Sequence, residues 1–398
     1  MELKAFLFSL IVIYISARLL GELAVRMGQS SVLGELLAGV LVGPSVLGLV
    51  HQTETLTLLG EIGVMLLLFE VGLESDLQSF LRVGPSAAVV ALIGVAVPFG
   101  LGYGVAAMLH FTPLQAIFVG ATLTATSVAI SARVLSDLGQ LRSREGNIIL
   151  GAAVLDDILG LVILSVVVGL AESGTVSWLS IAQTAGLAIL FLGAAMVFGN
   201  RYATLFSKLV NRLNTRGALV ITALTFALLL GYVAEEVRVA PLVGAFAAGL
   251  ILARTEHQRL IEERLKPITD VFVPIFFVLV GVALNLTLLN PFNPQNQSVL
   301  LLAGGLTLVA IIGKLVSGWG VMDRRVNRWV VGIGMVPRGE VGLIFAGVGL
   351  GAHIITDGQY GAILIVVALT TLFSPVFLKR LLHDRSAARE SDRPPALT

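Results

Sequence analysis

The sequence predicts an all-α polytopic membrane protein with about 13 transmembrane helices. Of its 398 residues, 56% are hydrophobic and only 13% are charged, whereas soluble domains have about 25% charged residues. The mean hydropathy is +0.95, and apolar runs of about 20 residues, the length that crosses a bilayer, recur along the chain. Continuous apolar runs exclude an outer-membrane barrel, because barrel strands alternate apolar and polar residues.

Charged residues, Pro and Gly separate the apolar runs into predicted spans. The stretches lie at about 3–25, 31–50, 56–73, 84–109, 113–134, 146–170, 177–200, 217–233, 237–253, 267–285, 299–322, 327–350 and 359–382. The first stretch is too long for the apolar region of a signal peptide and has no small-residue cleavage pattern. We therefore expect it to be the first membrane helix.

Basic residues are distributed unequally between alternate connections. Of the 26 Lys and Arg residues, 21 lie in connections on one side of the predicted membrane and two, Lys4 and Arg238, lie on the other. Because cytoplasmic loops concentrate Lys and Arg, we predict an external N-terminus and a cytoplasmic C-terminus. Residues 1–382 then form a single transmembrane unit, and residues 383–398 form a short polar cytoplasmic tail without a regulatory domain.

The charge and cysteine content exclude several classes of function. The net charge is +1 and the basic residues are scattered, so we expect no nucleic-acid partner. The sequence contains no Cys, which excludes disulfides and thiolate metal sites. We expect no cofactor and no enzymatic activity, and the lipid bilayer is the predicted surroundings of the chain.

The fourth to sixth stretches and the eleventh to thirteenth share an order of features: a long Gly-rich helix, an interrupted helix and a final long helix. The second group begins seven spans after the first. Because seven is an odd number, the second group crosses the membrane in the opposite direction, as in inverted-repeat transporters. The interruptions are Thr122, Thr124, Thr126 and Ser127 in the fifth stretch, and residues 332–340 with Pro337 in the twelfth. We predict two broken helices; the alternative is local kinks, with hydroxyls bonded back to carbonyls of the same helix.

Two adjacent carboxylates, Asp156 and Asp157, lie at the predicted bilayer centre in the sixth stretch. Each charge at that depth costs about 2.5–3.5 kcal/mol on insertion scales, which indicates a functional pair. Neighbouring helix positions point about 100° apart, so one carboxylate can face a cavity and the other a neighbouring helix. Lys314, in the middle of the eleventh stretch, needs an acidic partner, and the repeat favours Asp156.

Arg338 and Glu340 flank Gly339 in the twelfth stretch. We expect Glu340 to compensate the positive end of the half-helix that follows the break. A direct ion ligand and a salt bridge to Arg338 are the alternatives. Five further charged residues in or near apolar stretches are expected to make interfacial pairs or helix–helix contacts: Arg18, Glu22, Glu35, Glu61 and Glu70.

Several motifs together resemble those of the monovalent cation/proton antiporter family, in particular the bacterial NapA-like sodium/proton antiporters. The matching segments are residues 29–44 (QSSVLGELLAGVLVGP), 68–74 (LFEVGLE), 125–135 (ATSVAISARVL), 149–157 (ILGAAVLDD) and 337–343 (PRGEVGL). By this resemblance the ion-binding residues are Asp156, Asp157, Thr126 and Ser127, with the transported Na+ on the two aspartates. The resemblance also places the coupling lysine at Lys314 and the second break at residues 337–340, with Arg338 and Glu340 compensating charge.

The resemblance implies an inverted-repeat antiporter fold with two broken crossing helices. A core domain, mainly the helices at 84–170 and 299–382, would move past a dimerisation domain formed mainly by the remaining helices. The implied protein is a homodimer in the bacterial inner membrane that exports Na+ or Li+ in exchange for H+ by alternating access. Two aspartates, or one aspartate and Lys314, can release two protons for one cation, so we expect electrogenic exchange.

Other functions differ in the sites they require. The sequence does not determine the choice among Na+, Li+ and K+, so a K+/H+ antiporter is an alternative, as is a sodium-coupled solute symporter on a related fold. An intramembrane aspartyl protease needs carboxylates on two helices, whereas these two are adjacent on one. A channel would need rings of ligands from symmetric subunits.

Overall fold

The computed structural model describes residues 2–75, 77–173, 178–210, 212, 217–284 and 294–391. Within these residues the regular structure is helical throughout. The helices are α1 (Glu2–Arg26), α2 (Ser31–Val42), α3 (Glu54–Glu74), α4 (Leu77–Met108), α5 (Pro113–Thr122), α6 (Val128–Asp137), α7 (Arg144–Ser173), α8 (Trp178–Val210), α9 (Ala218–Glu236), α10 (Pro241–Leu252), α11 (Gln258–Val282), α12 (Pro294–Ser317), α13 (Arg328–Gly334), α14 (Glu340–Gly351) and α15 (Asp357–Ser391).

These helices confirm the predicted polytopic fold. Among the described residues, eight helices are long and apolar enough to cross a membrane. Shorter apolar helices occupy the remaining predicted stretches. The fifth and twelfth stretches are each divided in two, into α5 and α6 and into α13 and α14. Both predicted breaks are therefore real, and the order long helix, broken helix, long helix occurs twice.

Some helix boundaries differ from the predicted ones. The helix of the eleventh stretch, α12, begins at Pro294 and ends at Ser317, and a short 3-10 helix, Gly318–Gly320, continues it. Lys314 lies in the last turn of α12, closer to the end of the span than the prediction placed it. Gly318, the first residue of this 3-10 helix, lies close to the start of α13, and a Cβ there would lie 2.1 Å from the carbonyl oxygen of Arg328. Only a glycine allows the two backbone segments to come this close. The apolar pattern of the sequence did not predict this contact.

The two ends of the predicted transmembrane unit also differ in detail. Residues 383–391 of the predicted tail continue α15, and residues 392–398 lie outside the described residues. On α1, Glu22 forms an ion pair with Arg26 at 3.0 Å. An exposed pair of this kind contributes little stability.

Helix packing divides most of the fold into two groups. We call α1–α3 and α9–α11 the panel group, in which α3 packs on α10 and α11, and α2 packs on α1 and α11. We call α4–α7 and α12–α15 the crossing group, in which α4 packs on α7 and α12, and α12 packs on α15. The groups meet where α6 contacts α2 and α3, where α15 contacts α2, and through α8.

Candidate functional site

The two helix breaks lie against each other inside the crossing group. The backbone N–H of Ser127 donates to the carbonyl oxygen of Pro337 at 2.9 Å. The hydroxyl of Thr126 donates to the carbonyl oxygen of Met335 at 3.1 Å. A Cβ at Gly339 would lie 2.7 Å from the Cβ of Ser127, so the absence of a side chain at Gly339 allows the segments to cross. Each break thus supplies hydrogen-bond partners to the other, as non-helical backbone at membrane depth requires.

The four hydroxyls of the first break have different partners. Thr122 and Thr124 donate back to the carbonyls of Val119 and Ala121, both at 2.7 Å, which is the local bonding that the alternative interpretation described. Thr126 donates across the crossing instead. The hydroxyl of Ser127 is buried and has no hydrogen-bond partner among the described residues. Ser127 therefore retains an oxygen for a ligand.

Asp156 and Lys314 form a fully buried ion pair between α7 and α12. The Nζ atom of Lys314 lies 3.1 Å from Oδ2 and 3.3 Å from Oδ1 of Asp156, and both side chains have no exposed surface. The backbone N–H of Thr126 donates to Oδ2 of Asp156 at 2.7 Å. Asp156 thus lies near the positive N-terminal end of α6. The structure brings together the pair that the repeat favoured.

Asp157 follows Asp156 on α7 and is 5% exposed, whereas Asp156 is 0% exposed. The two carboxylates point in different directions, because successive helical positions differ by about 100°. Asp156 is bonded to Lys314 and to the first break, and Asp157 also interacts electrostatically with Lys314. The division of roles between the two aspartates stays a prediction.

Arg338 is the largest fully buried side chain of the described residues. It donates to the carbonyl oxygens of Thr124 at 3.3 Å and Ala125 at 2.8 Å, just beyond the C-terminal end of α5. A guanidinium at this position compensates the negative end of the helix and satisfies carbonyls that the break leaves unpaired. Its own carbonyl accepts a 2.6 Å hydrogen bond from Thr371. The side chain of Glu340 lies outside the described residues, so its expected role stays a prediction.

Three residues of the site were not found from the sequence. Gly94 on α4 packs against the ammonium of Lys314, and a Cβ there would lie 3.3 Å from Nζ. Ser131 donates to the carbonyl of Gly334 at 2.5 Å, and Thr371 donates to that of Arg338. Glycines are frequent in membrane helices, so Gly94 did not stand out. A Ser or Thr that bonds to another segment cannot be distinguished in the sequence from one that bonds back to its own helix. Their roles require the tertiary packing.

Comparison with known proteins places this geometry in a family. A sequence model described as "Sodium/hydrogen exchanger, transmembrane" matches residues 7–383. The chain belongs to this exchanger family. The fold is similar to that of the sodium proton antiporter MjNhaP1 from Methanocaldococcus jannaschii, with a TM-score of 0.74 over 99% of this chain and 100% of that one, at 20% identity. The recognition from sequence motifs is confirmed, and the chain is a multi-pass membrane protein.

Two curated relatives of this exchanger family cover nearly the whole chain. The High-affinity Na(+)/H(+) antiporter NhaS3 of Synechocystis is 39% identical, over 98% of this chain and 93% of that protein. The Na(+)/H(+)-K(+) antiporter GerN of Bacillus cereus is 35% identical, over 98% of this chain and 99% of that protein. The similarity is therefore not restricted to one part of the membrane unit.

We predict that Lys314→Gln destabilises the protein by about 3–5 kcal/mol, because removing one partner of a buried ion pair leaves the other charge uncompensated. Thermal unfolding in detergent measures the effect. Lys4→Gln, at an exposed position of α1, is the matched control and should unfold like the parent. The double variant Lys314→Gln with Asp156→Asn should recover part of the loss. Equal melting temperatures for Lys314→Gln and the parent would contradict the ion pair.

Proposed function

We propose that the protein is a secondary active antiporter that exports Na+ or Li+ in exchange for protons by alternating access. The observation that carries this function is the buried Asp156–Lys314 pair beside Asp157, held against the crossing of two broken helices. Relatives that cover almost the whole chain are named as Na+/H+ antiporters. The family, the fold and the chemistry of the buried groups support the same activity.

The cation ligands that we propose are Asp157, Asp156, Thr126 and Ser127. Na+ binds oxygen atoms, and these residues supply carboxylates and hydroxyls at one crossing. The buried hydroxyl of Ser127, without a protein partner among the described residues, supports its part in the site. Arg338 and Glu340 would compensate the ends of the half-helices without binding the transported ion.

Coupling follows from the charges that the site can hold. With Asp157 protonated and the Asp156–Lys314 pair intact, the ammonium has a counter-charge. When Na+ displaces the proton of Asp157 and attracts Asp156, Lys314 loses that counter-charge in a buried environment. An uncompensated buried ammonium is unfavourable by several kcal/mol, so Lys314 gives up its proton. Two protons leave for one Na+, and the two loaded states differ by one charge.

The movement that exposes the site alternately would take place between the two helix groups. We propose that the crossing group is the core domain and the panel group contributes the dimerisation domain of a homodimer. Their separate internal packing, with contacts concentrated at α6, α15 and α8, supports rigid-body movement. The distribution of basic residues supports a cytoplasmic C-terminus in the bacterial inner membrane.

Potassium is a second candidate cation. GerN is named as a Na(+)/H(+)-K(+) antiporter, and it is 35% identical to this chain. Purified protein in liposomes with an internal pH dye distinguishes the cations when Na+, Li+ and K+ are added in turn. A pH response to Na+ or Li+ supports the proposal, and a response confined to K+ contradicts it. Na+ uptake without proton movement would instead indicate a solute symporter.

Replacing Asp157 by Asn should abolish exchange while leaving folding intact, because the amide cannot carry the proton that Na+ displaces. The measurement is the dye response of proteoliposomes to Na+, together with the melting temperature in detergent. Asp357→Asn makes the same chemical change at an exposed position of α15 and should exchange normally. An undiminished response of Asp157→Asn would exclude this carboxylate as the shared binding group.

Exchange should be accelerated when the membrane potential is clamped. Each cycle moves one net charge across the membrane and so builds a potential that opposes further transport. Moving one elementary charge against this potential costs about 2.3 kcal/mol per 100 mV. Liposomes loaded with Na+ and diluted into Na+-free medium, with equal K+ on both sides, should acidify faster after valinomycin is added. Liposomes without protein are the control. A rate that does not depend on valinomycin would indicate electroneutral exchange.

A further inference from the structure

A single arginine of the crossing group lies among carboxylates of both helix groups. Arg133 on α6 has a side chain that is 16% exposed, and its Nε atom lies 3.3 Å from Oδ1 of Asp137 on the same helix. It also interacts electrostatically with three carboxylates of the panel group: Glu35 on α2, Glu70 on α3 and Asp270 on α11. We call these five residues the gate cluster. One guanidinium thus connects α6 to three helices that belong to the other group.

Hydrogen bonds add to this connection. Asp137 accepts hydrogen bonds from the hydroxyls of Ser30 at 2.7 Å and Ser31 at 3.0 Å, both at the start of α2. Around them, buried apolar side chains of α2, α3 and α6 form one continuous cluster that includes Val32 and Ala129. The contact is therefore a packed interface with its charges partly shielded from water, where electrostatic interactions are stronger than on the surface.

A cavity of about 690 Å³ reaches this interface from the panel side. Its lining includes Arg18, Glu22, Glu35, Arg133 and Asp270. Glu35 is only 5% exposed, and its Oε2 atom has no hydrogen-bond partner among the described residues. The positive charge of Arg133 therefore balances the negative charge of Glu35 without a hydrogen bond between the two side chains. Separating them breaks no hydrogen bond of this pair.

The gate cluster lies on the side that carries most of the basic residues. The halves of the broken helices that reach this side are α6 and α13, and α6 is the one that packs on α2 and α3. The opposite halves, α5 and α14, pack on α4, α7 and α15 within their own group. The contacts that the broken helices make with α2 and α3 of the panel group therefore lie on the side of the gate cluster.

We propose that Arg133 is the positioning residue that keeps this side of the transport path closed. Its positive charge attracts the carboxylates of the panel group and so holds α6 against α2 and α3. This inference rests on the alternating access of the proposed function. When the crossing group moves, Arg133 moves away from Glu35, Glu70 and Asp270, and these carboxylates lose the charge of its guanidinium. Carboxylates facing an open path raise the local concentration of cations, so the same movement that opens the gate also attracts the incoming Na+.

The natural absence of cysteine gives a direct test that does not depend on transport. Val32 on α2 is fully buried in the interface, so a Val32→Cys variant should react slowly with a hydrophilic maleimide in detergent without Na+. Adding Arg133→Gln should increase the labelling rate about tenfold, the order expected for loss of coupled charges in contact. Arg133→Lys, which retains the charge, should stay closer to the rate of Val32→Cys alone.

Arg18→Gln is the matched control, since it removes the same charge from the same cavity but lies on the panel helix α1. Its labelling rate should equal that of Val32→Cys alone. If Arg133→Gln does not fold, Glu35→Gln removes the opposite partner and should raise the labelling rate in the same direction. A rate unchanged by Arg133→Gln, or by Glu35→Gln in its place, overturns the proposal. An equal increase with Arg18→Gln also overturns it, because the effect would then be general to the cavity.

Discussion

An ammonium group buried in a membrane protein needs a counter-charge, and the carboxylate of Asp156 provides it for Lys314. Most features of the site follow from this requirement. The N–H of Thr126 beside Asp156 is available only because the fifth predicted helix is broken. The break in turn exposes carbonyls that Arg338 satisfies, and Gly339 lets the second broken segment approach Ser127. Removing the ion pair would therefore disturb the crossing as a whole.

The charges also explain why the site is suited to exchange rather than to permanent binding. A buried pair is close to balanced, because the cost of desolvating two charges offsets most of their attraction. In the proposed exchange, a cation takes the place of Lys314 beside Asp156 and Lys314 loses its proton, so no uncompensated ammonium stays buried. Gly94 leaves room for the Lys314 side chain beside α4. A basic side chain also neutralises carboxylates at the gate cluster, where Arg133 occupies the position that a cation could take.

Much of this arrangement could be predicted from the sequence, and the reasons for the rest are physical. The hydropathy and the distribution of charges predicted the spans. The Thr-rich segment at 122–127 and the Gly- and Pro-containing segment at 332–340 predicted both breaks. The partner of Lys314 followed from the repeat. Three other features depend on how distant segments pack, and periodicity contains no information on this. They are the close approach of Gly318 to α13, the contact of Gly94 with Lys314, and the position of Arg133 among carboxylates of three panel helices.

In the proposed exchange, one Na+ displaces two protons from the site, one from Asp157 and one from Lys314. The most direct measurement counts protons released when NaCl is added to purified protein in weakly buffered detergent solution, over a range of pH, with choline chloride as the control. We expect a maximum of two protons for each Na+ bound, and none in Asp157→Asn. A maximum of one proton per Na+ would contradict it, because Lys314 would then keep its proton throughout the cycle.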